Sequence, residues 1–299
     1  MYKHKVGKVF WVTIIFICMA TTGFTSTKEI PEPPLVLALP GWDLSNKAAQ
    51  EQALRRTLDL KPELTLTETS DFPLIHSKEL MLETKDGVLL GATYTHTHMQ
   101  QNAPLAILIH EERGNRRDFD VFAQVLRDNG ISTLAMDLRG HGESRKLANG
   151  DDIRYEDFQQ DVNSDSYRQM VFDLEAVLDW AESNNLVDSQ GIYIIASKMG
   201  ATVACMSAVQ NSGRLKGVVL VNPEAFFRKI NLKQELERVQ GLPMLVIASD
   251  GDTYGQATPR TLNQVNQEVR PLIIPLKFVG INLLLQRETQ IEVFKFIKE

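Results

Sequence analysis

The sequence is poor in several things whose scarcity narrows its class. It has 2 cysteines in 299 residues, too few for a disulfide framework. It lacks a basic excess, with 32 Lys plus Arg against 38 Asp plus Glu and a net charge of −6, so a nucleic-acid-binding face is not expected. Only one apolar run is long enough to notice, which excludes a multi-span membrane protein. Phosphate-binding and dinucleotide glycine patterns are missing, so no cofactor is expected. There is no internal repeat and no low-complexity tract. Its 6 histidines are His4, His76, His96, His98, His110 and His141, so none lies in the second half of the chain. What remains, 43% hydrophobic and 23% charged, is ordinary soluble globular composition.

The single apolar run is Val9–Ala20, preceded by Lys3, Lys5 and Lys8 and followed by small and polar residues. That order reads as a secretory signal over residues 1–23, and export is expected. Cleavage near Thr22 or Gly23 would leave about 276 residues and, by losing three lysines, a charge near −9. An uncleaved anchor is the alternative, with membrane association through residues 9–20. Cys18 is a poor lipidation site because bulky Phe16 and Ile17 precede it. Cys205, on an apolar helix face, reads as core. Residues 24–76 read as an extension, with a proline-rich linker at 29–42 and a short helix at 46–60.

From residue 77 the pattern is structural. Residues 78–84 and 88–96 flank Lys85-Asp86-Gly87, a hairpin signal. Beyond residue 104, short β runs (105–110, 131–136, 192–196, 216–222, 243–249, 271–276) alternate with helix-length segments (119–127, 168–184, 199–210, 256–267, 287–298). This alternation implies βαβ units and a mostly parallel sheet covered on both faces. Chemistry in such sheets sits beyond the carboxyl ends of the strands. His96 and His98 share a strand face, but two ligands are too few for a metal, and no metal site is expected.

After one strand comes His110-Glu111-Glu112-Arg113-Gly114. After the next comes Asp137-Leu138-Arg139-Gly140-His141-Gly142-Glu143-Ser144. These strings, over residues 77–299, resemble the α/β-hydrolase superfamily, nearest the exported, esterase-like or dienelactone-hydrolase-like members. The resemblance implies an α/β-hydrolase fold, a doubly wound, mostly parallel sheet with an N-terminal hairpin. It also implies a nucleophile in a small-x-Ser-x-small elbow, then an acid, then a histidine. Ala196-Ser197-Lys198-Met199-Gly200 matches the elbow with Lys198 at the nucleophile position. Ser197 is an alternative nucleophile, though it would place Ile195 and Met199 at the small flanks. Asp252 matches the acid, and a strand-end turn aspartate explains it equally well. Val279 falls at the histidine position. Glu111 and Met199 fall at the oxyanion loop, where acidic Glu111 and Glu112 either oppose an oxyanion or face solvent.

Without a histidine after the elbow, the family's triad cannot form in its chain order. The resemblance therefore implies a degenerate hydrolase, a pseudoenzyme that binds a small molecule or a protein partner. An active esterase using Ser197 or an unorthodox Lys198 site is one alternative; a structural envelope protein is another. A Lys198–Asp252 contact, direct or through one water, is expected to plug the cleft; in the competing picture Lys198 reaches solvent and Asp252 caps its own turn.

Overall fold

The computed structural model describes residues 77–97, 103–161, 163–184, 191–253 and 255–299. The chain divides into two units, Met1–Pro73 and Leu74–Glu299, and all described residues belong to the second. The signal, the apolar run 9–20, the linker, the helix at 46–60, Cys18 and His98 lie outside the described residues. No described helix is long and apolar enough to cross a membrane.

Eight strands carry the sheet: β1 (Ser77–Glu83), β2 (Val88–Thr95), β3 (Leu105–Ile109), β4 (Ser132–Met136), β5 (Ile192–Ser197), β6 (Gly217–Val221), β7 (Met244–Ser249) and β8 (Val269–Ile274). Their order is β1-β2-β4-β3-β5-β6-β7-β8, and a two-residue strand, Lys146–Leu147, pairs with β2. β1 and β2 are antiparallel to each other, β2 is antiparallel to β4, and every pairing from β4 to β8 is parallel. This is the expected α/β-hydrolase sheet with its N-terminal hairpin. The hairpin closes through Gly87 at φ +83, where a side chain would be strained. Thr84 Oγ1 accepts from Val88 N and donates to Asp86 inside the turn.

Five main helices cover the sheet: α1 (Asp120–Arg127), α2 (Val171–Ser183), α3 (Met199–Asn211), α4 (Thr258–Val265) and α5 (Arg287–Lys298). Strand side chains alternate between the two faces. Leu105, Ile107 and Ile109 of β3 join Ile192, Ile194 and Ala196 of β5 in a core under α2, α3 and α4. Ala106 and Leu108 join Tyr193 and Ile195 in a second core under α1 and α5. Both faces of the central strands are therefore apolar, which is why they read as short continuous runs.

Most boundaries shift by a residue or two from expectation, and two differences stand out. The last strand begins at Val269, not at Pro271, and Pro275 and Leu276 fall in the following loop. A proline sits mid-strand here because β8 is an edge. The helix expected from Arg168 begins instead at Val171, after a separate one-turn helix at Asp165–Arg168.

Candidate functional site

The elbow lies between β5, ending at Ser197, and α3, starting at Met199. One residue, Lys198, turns the chain at φ 48 and ψ −111. A non-glycine residue there costs about 1–3 kcal/mol and persists only where its surroundings impose it. The constraints are visible. Lys198 N donates to Val221 O at 3.0 Å, extending the ladder, and Lys198 O accepts from Ala201 N at 3.0 Å, starting the helix. Gly200 lets α3 begin hard against β3, since a Cβ would lie 2.6 Å from both Ile109 O and His110 O. Ala196 is the other small flank, fully buried. The elbow tip is thus Lys198. Ser197 is the last residue of the strand and has no exposed surface. Met199, buried, opens α3.

Glu111, from the loop after β3, turns into this corner. Its Oε1 accepts from Ser197 Oγ at 2.8 Å and from Ile281 N at 2.6 Å. Its Oε2 lies 3.2 Å from Lys198 Nζ. A Cβ on Gly280 would sit 1.9 Å from Oε1, so the carboxylate rests where any larger residue would put its side chain. Glu111 therefore does not point away to solvent.

The expected Lys198–Asp252 plug is replaced as a direct contact by a Lys198–Glu111 pair. Sheet order supplies the reason. β3 is next to β5, whereas Asp252 follows β7, two strands away on the other side. At roughly 4.8 Å per strand, Glu111 is one spacing from the elbow and Asp252 two. Asp252 is held instead by Asn222 Nδ2 at 3.0 Å and by Gly255 N at 2.8 Å in its own turn. Asn222, buried and following β6, also accepts from Gly280 N at 2.8 Å. An asparagine thus joins Asp252 to the loop of Val279 and Gly280. In that loop, Val279 lies half-buried between Phe278, whose carbonyl accepts from Ser249 Oγ at 2.6 Å, and Gly280.

The two loop histidines serve the backbone. His110 Nδ1 donates to Glu111 O at 2.7 Å, while Nε2 accepts from Leu138 N at 3.1 Å. Burial holds the His110 imidazole below its ordinary range. His141 Nδ1 donates to Arg139 O at 3.0 Å. Burial, with His110 as a second cause, lowers its pKa to about 4, so the ring is neutral. Its Nε2 is buried without a hydrogen-bond partner among the described residues. Neither ring bonds to Ser197 or Lys198. The Asp137–Ser144 string is architectural too. Fully buried Asp137 accepts from Arg116 N at 2.6 Å, from Glu143 N at 2.9 Å and from the Arg116 guanidinium. Ser144 Oγ accepts from Gly91 N at 2.9 Å, tying the loop to β2.

At the rim, Glu112 accepts from Tyr155 Oη and pairs with Arg228 at 3.0 Å. Burial, reinforced by Glu112, raises the Glu224 carboxyl, and Lys198 opposes this. His96 is exposed, within hydrogen-bond reach of Ser132 Oγ and Tyr94 Oη. Cys205 is fully buried, and burial pushes its thiol up. Among the described residues no group of three or more His, Cys, Asp or Glu is placed to hold a metal.

Sequence reasoning missed Asn222, Ile281, Arg228 and Glu224. Asn222 was within reach, because it ends the strand run 216–222. The Ile281 N–H carries no side-chain signal at all.

Residues 106–249 match the family model for serine aminopeptidases of the S33 group. No relative was found among curated proteins. Solved structures resemble the chain at low identity. An esterase from Pyrococcus furiosus has a TM-score of 0.58 and 19% identity, over 75% of this chain and 91% of that one. A dienelactone hydrolase from Anabaena variabilis gives 0.56 and 18%, over 74% and 98%. Est1E from Butyrivibrio proteoclasticus, with ferulic acid bound, gives 0.56 and 15%, over 73% and 97%. At these identities the likeness is one of fold.

Proposed function

We propose that this α/β-hydrolase-fold chain is an exported, catalytically silent protein whose cleft binds a ligand or partner. One observation carries the reading: the elbow tip is Lys198, ion-paired to Glu111, and the same carboxylate takes the Ser197 hydroxyl. An ammonium is not a nucleophile. A serine hydroxyl is a poor one without a base, and Ser197 has no surface from which to attack. Glu111 also places negative charge where an acyl-transfer site needs donors for a developing oxyanion. Asp252, committed to Asn222 and its own turn, has no histidine to orient.

The test is turnover of p-nitrophenyl esters by purified protein, together with labelling by a fluorophosphonate. Neither should exceed a heat-unfolded control. Saturable turnover that Ser197→Ala abolishes would overturn the proposal.

A further inference from the structure

We infer that the three groups holding Glu111, namely the Ser197 hydroxyl, the Ile281 N–H and the Lys198 ammonium, form a carboxylate site. At rest the protein's own side chain fills it, and a small monocarboxylate with an apolar body takes it over. This deepens the proposed function and rests on its reading of the cleft as open to a ligand.

The donors converge from two elements. Ser197 and Ile281 serve one carboxylate oxygen at 2.8 and 2.6 Å, and Lys198 serves the other at 3.2 Å. Both oxygens of a planar anion are recognised. The recess is shaped for them, because Gly280, at φ +60, leaves open the volume that Oε1 occupies.

The occupant can leave without unfolding its loop. The Glu111 carbonyl is fixed separately, accepting from His110 Nδ1 at 2.7 Å and Gly114 N at 3.0 Å. Its side chain is 22% exposed, so rotation about its own bonds carries the carboxylate outward.

Charge then selects what replaces it. With Glu111 gone, Lys198, itself only 37% exposed, has lost its ion-pair partner and keeps only the field of the unpaired Glu224 carboxyl. A neutral or cationic ligand would leave that ammonium and the Ile281 N–H uncompensated, whereas a carboxylate restores every bond. The exchange of one carboxylate for another is close to neutral, so affinity must come from the rest of the ligand. The loop that supplies Ile281 offers apolar surface next to it: Phe278 is 47% exposed and Val279 half-buried. A tethered side chain competes at high effective concentration, so the intact protein binds weakly and the plug-free protein binds better.

The experiment titrates full-length protein with hexanoate, acetate, hexylamine and inorganic phosphate by calorimetry. The Ile281 amide is followed by NMR in the unmutated protein. Glu111→Ala should bind hexanoate at least about ten-fold more tightly than the parent, the gain expected when an internal competitor is removed. Acetate should bind more weakly, and hexylamine and phosphate not at all. Adding Lys198→Met to Glu111→Ala should abolish the gain. Hexanoate should shift the Ile281 amide saturably in the parent. If Glu111→Ala fails to fold, Glu111→Gln, which keeps the shape but drops the charge, should show part of the gain. Absence of any gain in a folded variant, a gain that survives Lys198→Met, equal binding of hexylamine, or an unmoved Ile281 amide would overturn the inference. Ester turnover on the same samples separates the two claims. Turnover with hexanoate binding overturns only catalytic silence; silence without binding overturns only the carboxylate site.

Discussion

Acidification from pH 7.5 to pH 5 should cost the fold about 2 kcal/mol through His141 alone. His141 is buried against His110 and Tyr155, with ring centroids 4.9 and 4.4 Å away, and burial lowers its pKa to about 4. In the unfolded chain the same ring titrates near 6.5. Between those values the unfolded chain binds a proton that the folded chain refuses. The contribution is therefore complete above about 6.5, declines as pH falls, and levels off only below about 4. The full span of roughly 2.5 units corresponds to about 3 kcal/mol, of which about 2 is lost by pH 5. His110, also lowered by burial, acts in the same direction. Other groups titrate as well, so the useful quantity is the difference between the parent and His141→Phe. That variant keeps the ring contacts and removes both ring nitrogens; the lost Nδ1 bond to Arg139 O costs the same at both pH values and cancels in the difference. Urea denaturation at the two pH values should give a parent that loses about 2 kcal/mol more than the variant. Parallel losses in the two proteins would refute the burial argument.

Three further outcomes follow from the packing and from the proposed export. Gly200→Ala should cost about 1–3 kcal/mol by overpacking, read as a fall in thermal midpoint, because its Cβ meets two backbone carbonyls at 2.6 Å. Arg116→Met should cost about 3–5 kcal/mol by urea denaturation, since it strands the fully buried Asp137 carboxylate. Cell fractionation should find the chain outside the cytoplasm, and deletion of residues 1–23 should retain it inside; a cytosolic full-length chain with Met1 intact would contradict the signal reading.

The architecture was legible because its signals are local. Asp86-Gly87 between two β runs fixed the hairpin, and strands apolar on both faces marked the parallel sheet. The length of each run placed most helix boundaries within a residue or two, the α2 start being the main exception. The elbow was legible from Ala196 and Gly200; the small size of Gly200 is demanded by backbone contacts that do not depend on what sits at the tip. Pairings at the site were not legible, because they depend on strand order. The chain order β3, β4, β5 gives no hint that β4 lies outside β3, and only that exchange makes Glu111 rather than the loop after β4 a neighbour of Lys198. Asp252 shows the same limit: its place in a turn after a strand was readable, but its bond to Asn222 emerges only once β6 is known to lie between β5 and β7.

The mid-strand proline of β8 has a consequence for assembly. A free sheet edge is a template on which a second chain can grow as a further strand. At one margin, Pro271 is exposed and has no N–H to offer, so any incoming strand loses a rung at its centre. At the other, β1 begins with exposed Ser77, Lys78 and Glu79, and the charges of Lys78 and Glu79 lie along the edge a stacked copy would meet. Growth by strand addition is thus discouraged at both ends of the described sheet. Half-folded copies meeting one another at these margins find no continuous ladder to extend.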